Sequence, residues 1–179
     1  MSPRKSRRDL GFTLIETMIA LLVLTIGLVG TAALMSTTVS TTARSHLMST
    51  AAMLASEKLE DLDRFDKIDT PVQPGGSIAA DAAGYFDHVQ ISVDNGVISE
   101  TTTTNGVSTA YVQQPGGVMT VVPGAGLPPP TSDTQTFDRR WVVLKDVPIV
   151  GVRTITVLVT AQNQTVNRQA TFQMSMVRP

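Results

Sequence analysis

The chain has 179 residues, of which 42% are apolar and 16% charged, with 14 basic against 15 acidic side chains for a net charge of −1. That length suits one domain with an appendage; the apolar content is too high for a disordered chain, and the charge is wrong for a general polyanion binder. Cysteine is absent and only His46 and His88 are present, which excludes disulfides, thiolate nucleophiles, zinc held by sulfur and a three-histidine metal centre.

Met1 to Gly11 form a basic arm, with Arg4, Lys5, Arg7 and Arg8 against Asp9. An apolar run from Phe12 to Met35 follows, and Glu16 is its only charged residue. About twenty apolar residues in a helix cross the hydrocarbon core of a bilayer. Positive charge before the span keeps the N-terminus in the cytoplasm and exports the rest. A cleaved secretory signal has a shorter apolar region and a small-residue cleavage site, and Thr31 to Ser36 offers no clean one.

From Ser36 to Ser45 the chain turns polar, yet it carries no Gly or Pro. Leu47, Ala51, Leu54, Ala55, Leu59 and Leu62 then recur at three- and four-residue steps, the pattern of a helix with one buried stripe. Glu57, Lys58, Glu60 and Asp61 are expected on the solvent side. One continuous helix from Phe12 to Arg64 is predicted, roughly 80 Å long. It should stop before Asp69-Thr70-Pro71, because Pro disfavours helix in the residue before it.

Beyond Gln73-Pro74-Gly75-Gly76 the period falls to two. Val89, Ile91 and Val93 alternate up to a turn at Asp94-Asn95-Gly96; Val97–Thr104 and Val107–Gln113 flank Asn105-Gly106 as a hairpin. Pro115-Gly116-Gly117 and the run Pro123 to Pro130 mark a long loop. Three more strands are predicted near Thr136–Leu144, Thr154–Ala161 and Ala170–Val177, with Asn163-Gln164 as a turn. The expected shape is a lone helix followed by an antiparallel meander. A thin sheet must bury its apolar face, and the stripe Leu47 to Leu62 is the available partner.

Gly11-Phe12-Thr13-Leu14-Ile15-Glu16 joins the basic arm to the apolar run. Here the chain resembles type IV prepilins and the pseudopilins of type II secretion, whose processing motif is Gly followed by Phe-Thr-Leu-Ile-Glu and an apolar helix. The resemblance is close over the first 55 or so residues. It implies an α+β, type IV pilin-like fold: a long N-terminal helix, its first half transmembrane and its second half packed on an antiparallel sheet. It also implies cleavage between Gly11 and Phe12 by prepilin peptidase, followed by N-methylation of Phe12. Glu16, costly in a membrane helix by about 2.5–3.5 kcal/mol, would face the Phe12 amine of a neighbouring subunit and set register during assembly. The implied organisation is a leader at 1–11, a transmembrane and assembly half at 12–35, and a periplasmic head at 36–179.

Ile26-Gly27-Leu28-Val29-Gly30, Ala55 to Glu60, Phe137 to Val142 and Arg153 to Val157 look like PilV-type minor pilins and their secretion counterparts. Major pilins often end in a disulfide-closed loop, which this chain cannot form. Gly27 and Gly30 allow close helix approach or a looser helix. The expected role is therefore structural: a minor pilin of a type IV pilus, anchored in the inner membrane and later on the cell surface. Its implied partners are prepilin peptidase, other major and minor pilins, the inner-membrane assembly platform and the membrane itself. A minor pseudopilin and a membrane-anchored periplasmic binding module are the alternatives. No enzyme activity, cofactor, metal or small-molecule substrate is expected, and Arg139-Arg140-Trp141 is read as packing and ion pairing rather than a nucleic-acid contact. Asp61, Asp63, Asp66 and Asp69 lack the spacing of a calcium loop. Asn163-Gln164-Thr165 matches the short glycosylation triplet.

Overall fold

The structure, a computed structural model, describes residues 13–94, 97–114, 117–124, 134–162 and 170–179. Helix α1, Leu14–Arg64, runs unbroken for 51 residues. Two compact units divide between Ala43 and Arg44. In the first, the side chains of the apolar stretch, among them Leu21, Leu24, Ile26 and Val29, are exposed. This part of α1 is long and apolar enough to cross a membrane, with a mean hydropathy of 2.4 over its best window.

The Ser/Thr-rich turns stay helical by satisfying their own hydroxyls. Thr37 and Thr38 both donate to the Leu34 carbonyl, and Thr41 and Thr42 donate to Thr37 and Thr38. Such back-bonding keeps the hydroxyls paired without tertiary contacts, at a small cost in helix stability.

The second unit holds the rest of α1, a 3-10 turn at Thr70–Val72 and eight strands. The strands are β1 Gly75–Gly76, β2 Phe86–Asp94, β3 Val97–Thr104, β4 Val107–Gln113, β5 Met119–Pro123, β6 Gln135–Lys145, β7 Arg153–Gln162 and β8 Thr171–Arg178. All pair antiparallel, in the order β5-β4-β3-β2-β6-β7-β8, with β1 beside β6. The α+β class and the helix packed on an antiparallel sheet are as the sequence predicts. The single meander is not. After β5 the chain returns to the far side of β2, so Phe86↔Arg140 through Ile91↔Gln135 form a seam between two meanders. β5 also lies within what was read as loop. Asn95-Gly96, residues 125–130 and Asn163-Gln164-Thr165 lie outside the described residues.

The stripe on α1 closes the core. Ala51, Leu54, Ala55, Leu59 and Leu62 pack with Val89 of β2, Phe137, Trp141 and Val143 of β6, and Ile155, Val157 and Val159 of β7. Phe172, Met174 and Met176 of β8 pack against its margin. Burying each large aliphatic side chain contributes about 1.5–3 kcal/mol. The last turns are held from the sheet: Arg178 donates to the Leu62 and Phe65 carbonyls at 3.2 and 3.0 Å, and Arg153 to Lys67 and Val72 at 2.7 and 2.9 Å. Arg178 thereby satisfies carbonyls at the end of α1 and suits its negative pole, while Arg153 holds the segment that follows the helix.

Gly76 is required where it stands. Its φ is +82°, and a Cβ there would collide with the Trp141 carbonyl and the Tyr85 ring. That close approach lets β1 and β2 line up along one side of β6, with Trp141 N–H donating to the Tyr85 carbonyl between them.

Candidate functional site

Gly11 and Phe12 lie outside the described residues. From Thr13 onward the junction is ordered as a helix start. Thr13 precedes the first helical residue, and its carbonyl accepts from the backbone N–H groups of Glu16 and Thr17 at 3.0 and 3.2 Å. Its hydroxyl lies 3.4 Å from the Glu16 N–H. Thr13-x-x-Glu16 has the form of a capping box, in which a threonine and a glutamate three residues on serve the open N–H groups of the first turn. Leu14, Ile15 and Glu16 are all exposed. The carboxylate thus sits in the first turn of a helix whose following turns present bare apolar side chains.

A family model described as the prokaryotic N-terminal methylation motif matches residues 6–32. It spans the end of the basic arm from residue 6, the Gly11 to Glu16 junction and most of the apolar run. The match supports a type IV pilin-like or pseudopilin substrate of prepilin peptidase, a structural protein anchored through its N-terminal helix. No curated protein and no solved structure matches the chain.

A second polar constellation bears out the ion pairing expected of Arg139 and Arg140 but adds an unexpected member. Lys58, read from its charge as solvent-facing, is buried. Its ammonium lies 2.9 Å from the Asp87 carboxylate and 4.2 Å from the centre of the Trp141 ring. Asp87 is fully buried and also accepts from Arg139 Nη2 at 3.0 Å, Arg139 Nε at 3.2 Å and the Thr104 hydroxyl at 2.5 Å. Arg139 in turn donates to the Leu54 carbonyl. The cluster ties α1 to β2, β3 and β6 at once. The sequence signal for it was a charged residue, Lys58, inside the three-four stripe between Leu54 and Leu62. Trp141 packs as expected, with its indole N–H donating to the Pro71 carbonyl at 3.0 Å.

On the face away from α1, His88 Nδ1 meets Asp138 at 2.9 Å, Gln162 donates to the same carboxylate at 2.6 Å, and Arg140 joins Asp138 to Asp81. Burial alone would raise the Asp138 pKa. The hydrogen bonds from His88 and Gln162, with the charges of His88 and Arg140, outweigh it and hold the carboxyl below its ordinary value. Glu100 goes the other way: burial first, then the charge of Glu57, push its carboxyl up, against Arg139 and a hydrogen bond with Thr102. Phe86, His88, Thr103 and Asn105 line a pocket of about 240 Å³ beside this network. His46 is exposed on α1. Of the acidic cluster, Asp61 pairs with Lys58 and Asp63 with Arg178, while Asp69 accepts from the Asp66 N–H.

Proposed function

We propose that this chain is a minor pilin. Prepilin peptidase cuts between Gly11 and Phe12 on the cytoplasmic side and transfers a methyl group to the new Phe12 amine. Residues 12–35 hold the subunit in the inner membrane, and residues 36–179 form the periplasmic head. The subunit is then drawn into a type IV pilus, where Glu16 faces the methylated amine of a neighbour and fixes axial register. The observation that carries this reading is the methylation-motif match, placed directly at the start of an apolar helix that continues into the head. The lack of cysteine supports a minor rather than a major subunit.

Mass spectrometry of the membrane fraction tests it. The mature chain should begin with N-methylated Phe12, and replacing Gly11 with a bulky residue should leave the leader attached. A mature start beyond Met35, or an intact Met1 in wild-type cells, overturns the reading.

A further inference from the structure

A pocket opens on the sheet face opposite the one that α1 covers. Phe86 and His88 alternate with the buried Asp87 and Val89 along β2, so they point away from the core that Val89 enters. Thr103 stands directly across from His88 on β3. The walls come from the 81–83 segment and from the β3–β4 turn at Asn105-Gly106. The two are tied together, because the Asn105 side-chain carbonyl accepts from the Gly84 N–H at 3.0 Å. The enclosed volume is about 240 Å³. Sites for drug-sized ligands run to roughly 300–1,000 Å³, so this one suits a single small ring.

Its polar groups are held in place, and their charges are already matched. Asp81 accepts from Arg140 Nε at 2.6 Å through one oxygen, and its second oxygen has no protein partner among the described residues. His88 Nδ1 donates to the Asp138 carboxylate at 2.9 Å, which fixes the ring and leaves Nε2 as the acceptor of the neutral imidazole. Asn105 spends its carbonyl on Gly84, so its amide NH2 remains to donate. The Thr103 hydroxyl shares one hydrogen bond with Ser108 at 2.8 Å and can make another. Arg140 lies over the Phe86 ring, 5.5 Å from its centre, and the Phe86 side chain gives the pocket an apolar surface.

These groups discriminate by charge and by hydrogen bonding. An anion would face the Asp81 carboxylate. A cation would face an acid that Arg140 already neutralises. A wholly apolar ligand would strip water from Asp81, His88 and Asn105 and return no hydrogen bond. A ring with a rim of hydroxyls and a face of C–H groups satisfies every wall. Hydroxyls both donate and accept, which suits an amide NH2, a carboxylate oxygen and an imidazole nitrogen together. The C–H face packs on Phe86.

We propose that this pocket binds a neutral sugar, one monosaccharide unit of a glycan, between Phe86 and the polar rim of Asp81, His88 and Asn105. The binding does not depend on the pilus reading. Joined to it, the pocket makes the subunit a point of attachment to a glycan-bearing surface, on the side of the sheet that its own helix leaves open. No local motif announces the site, because Asp81, His88 and Asn105 converge from a loop, a strand and a hairpin turn.

The test is saturation-transfer NMR on the full chain in a detergent without a sugar headgroup. The probes are the methyl glycosides of glucose, galactose, mannose and N-acetylglucosamine, with acetate and methylammonium as charged competitors. At least one glycoside should bind with a Kd of about 1 mM, as a single ring in a small site allows, and neither charged probe should displace it. Ala83→Trp fills the pocket from an exposed position and should abolish the signal. Asn105→Gly suits the φ of +51° and removes the amide, and should weaken binding roughly five-fold. Tyr111→Ala, an exposed aromatic on the other face of the sheet, should change nothing. Circular dichroism shows that each variant is folded; should one of the two pocket variants fail to fold, the other decides. No glycoside bound at about 10 mM, displacement by acetate or methylammonium, binding that survives in a folded pocket variant, or an equal loss in Tyr111→Ala overturns the site. None of these outcomes bears on the mature N-terminus, which tests the pilus reading separately.

Discussion

Replacing Asp87 with Asn should unfold the head far more readily than the small change in shape suggests. In the wild type one carboxylate lies 2.9 Å from Lys58 and 3.0 Å from Arg139, with almost no solvent at any of the three, and the half-exposed Asp61 adds a second, longer pair to Lys58 at 3.5 Å. Asparagine keeps the volume but leaves two cations facing an amide inside the protein. Removing one partner from a buried ion pair costs about 3–5 kcal/mol, a large part of the 5–15 kcal/mol typical of a domain. Lys58→Met is the informative comparison. It removes one cation and its contact with the Trp141 ring, while Asp87 keeps Arg139 and Thr104. The expected loss is about 1–2 kcal/mol. Trp141 is the sole tryptophan and lies under the Lys58 ammonium, so its fluorescence in a urea titration of the full chain in detergent reports on this site. If Asp87→Asn costs under about 1 kcal/mol, or no more than Lys58→Met, the cluster does not hold helix and sheet together and the buried-charge reasoning fails.

Glu16→Ala should leave removal of the leader largely intact and impair incorporation into fibres, as read by mass spectrometry and shearing; wild-type levels in fibres would refute the register role. Glu100 is raised in the folded state, so its favourable contribution is present below its ordinary pKa and lost as pH rises through the folded value. Glu100→Gln should therefore raise the urea midpoint at neutral pH, with the gain vanishing below about pH 4. Asp138 is lowered, so its contribution is present above the ordinary aspartate pKa and lost as pH falls below about 4 toward the folded value. Asp138→Asn should flatten the acid limb of the stability curve, and an unchanged limb would show that the His88 and Gln162 contacts contribute nothing.

The parts of the fold legible from the sequence were those set by local periodicity. Ala51 to Leu62 step at helical intervals, and Ile155, Val157 and Val159 alternate with polar neighbours, so neither needed tertiary information. The return of β6 to β2 was not legible, because strand pairing is a non-local choice between β2 and β5 as neighbours. β5 escaped because its five residues are short, exposed and bounded by Pro and Gly. β1 is two glycines, a pattern that reads as loop until the Trp141 carbonyl and the Tyr85 ring are seen to press against it. Lys58 was misplaced for a different reason. Its charge argues for solvent, and the fully buried Asp87, 29 positions on in the chain, with the Trp141 ring, makes burial tolerable. At the motif, the resemblance to prepilins marked Gly11 to Glu16, and the structure added the Thr13 cap.

The arginine that closes the end of α1 also sets when the head can form. Arg178 reaches back 116 and 113 positions to the Leu62 and Phe65 carbonyls, and β8 completes the margin of the core. Contacts so distant along the chain make for slow folding, because loop closure must precede any gain from pairing. On the proposed topology, with the head exported, the stripe from Ala51 to Leu62 emerges first and has no sheet to cover it until β6, β7 and β8 have crossed. On that topology the subunit has its anchor in place while the stripe is still bare. Its biogenesis should depend on holding factors in proportion to how slowly the last strands arrive.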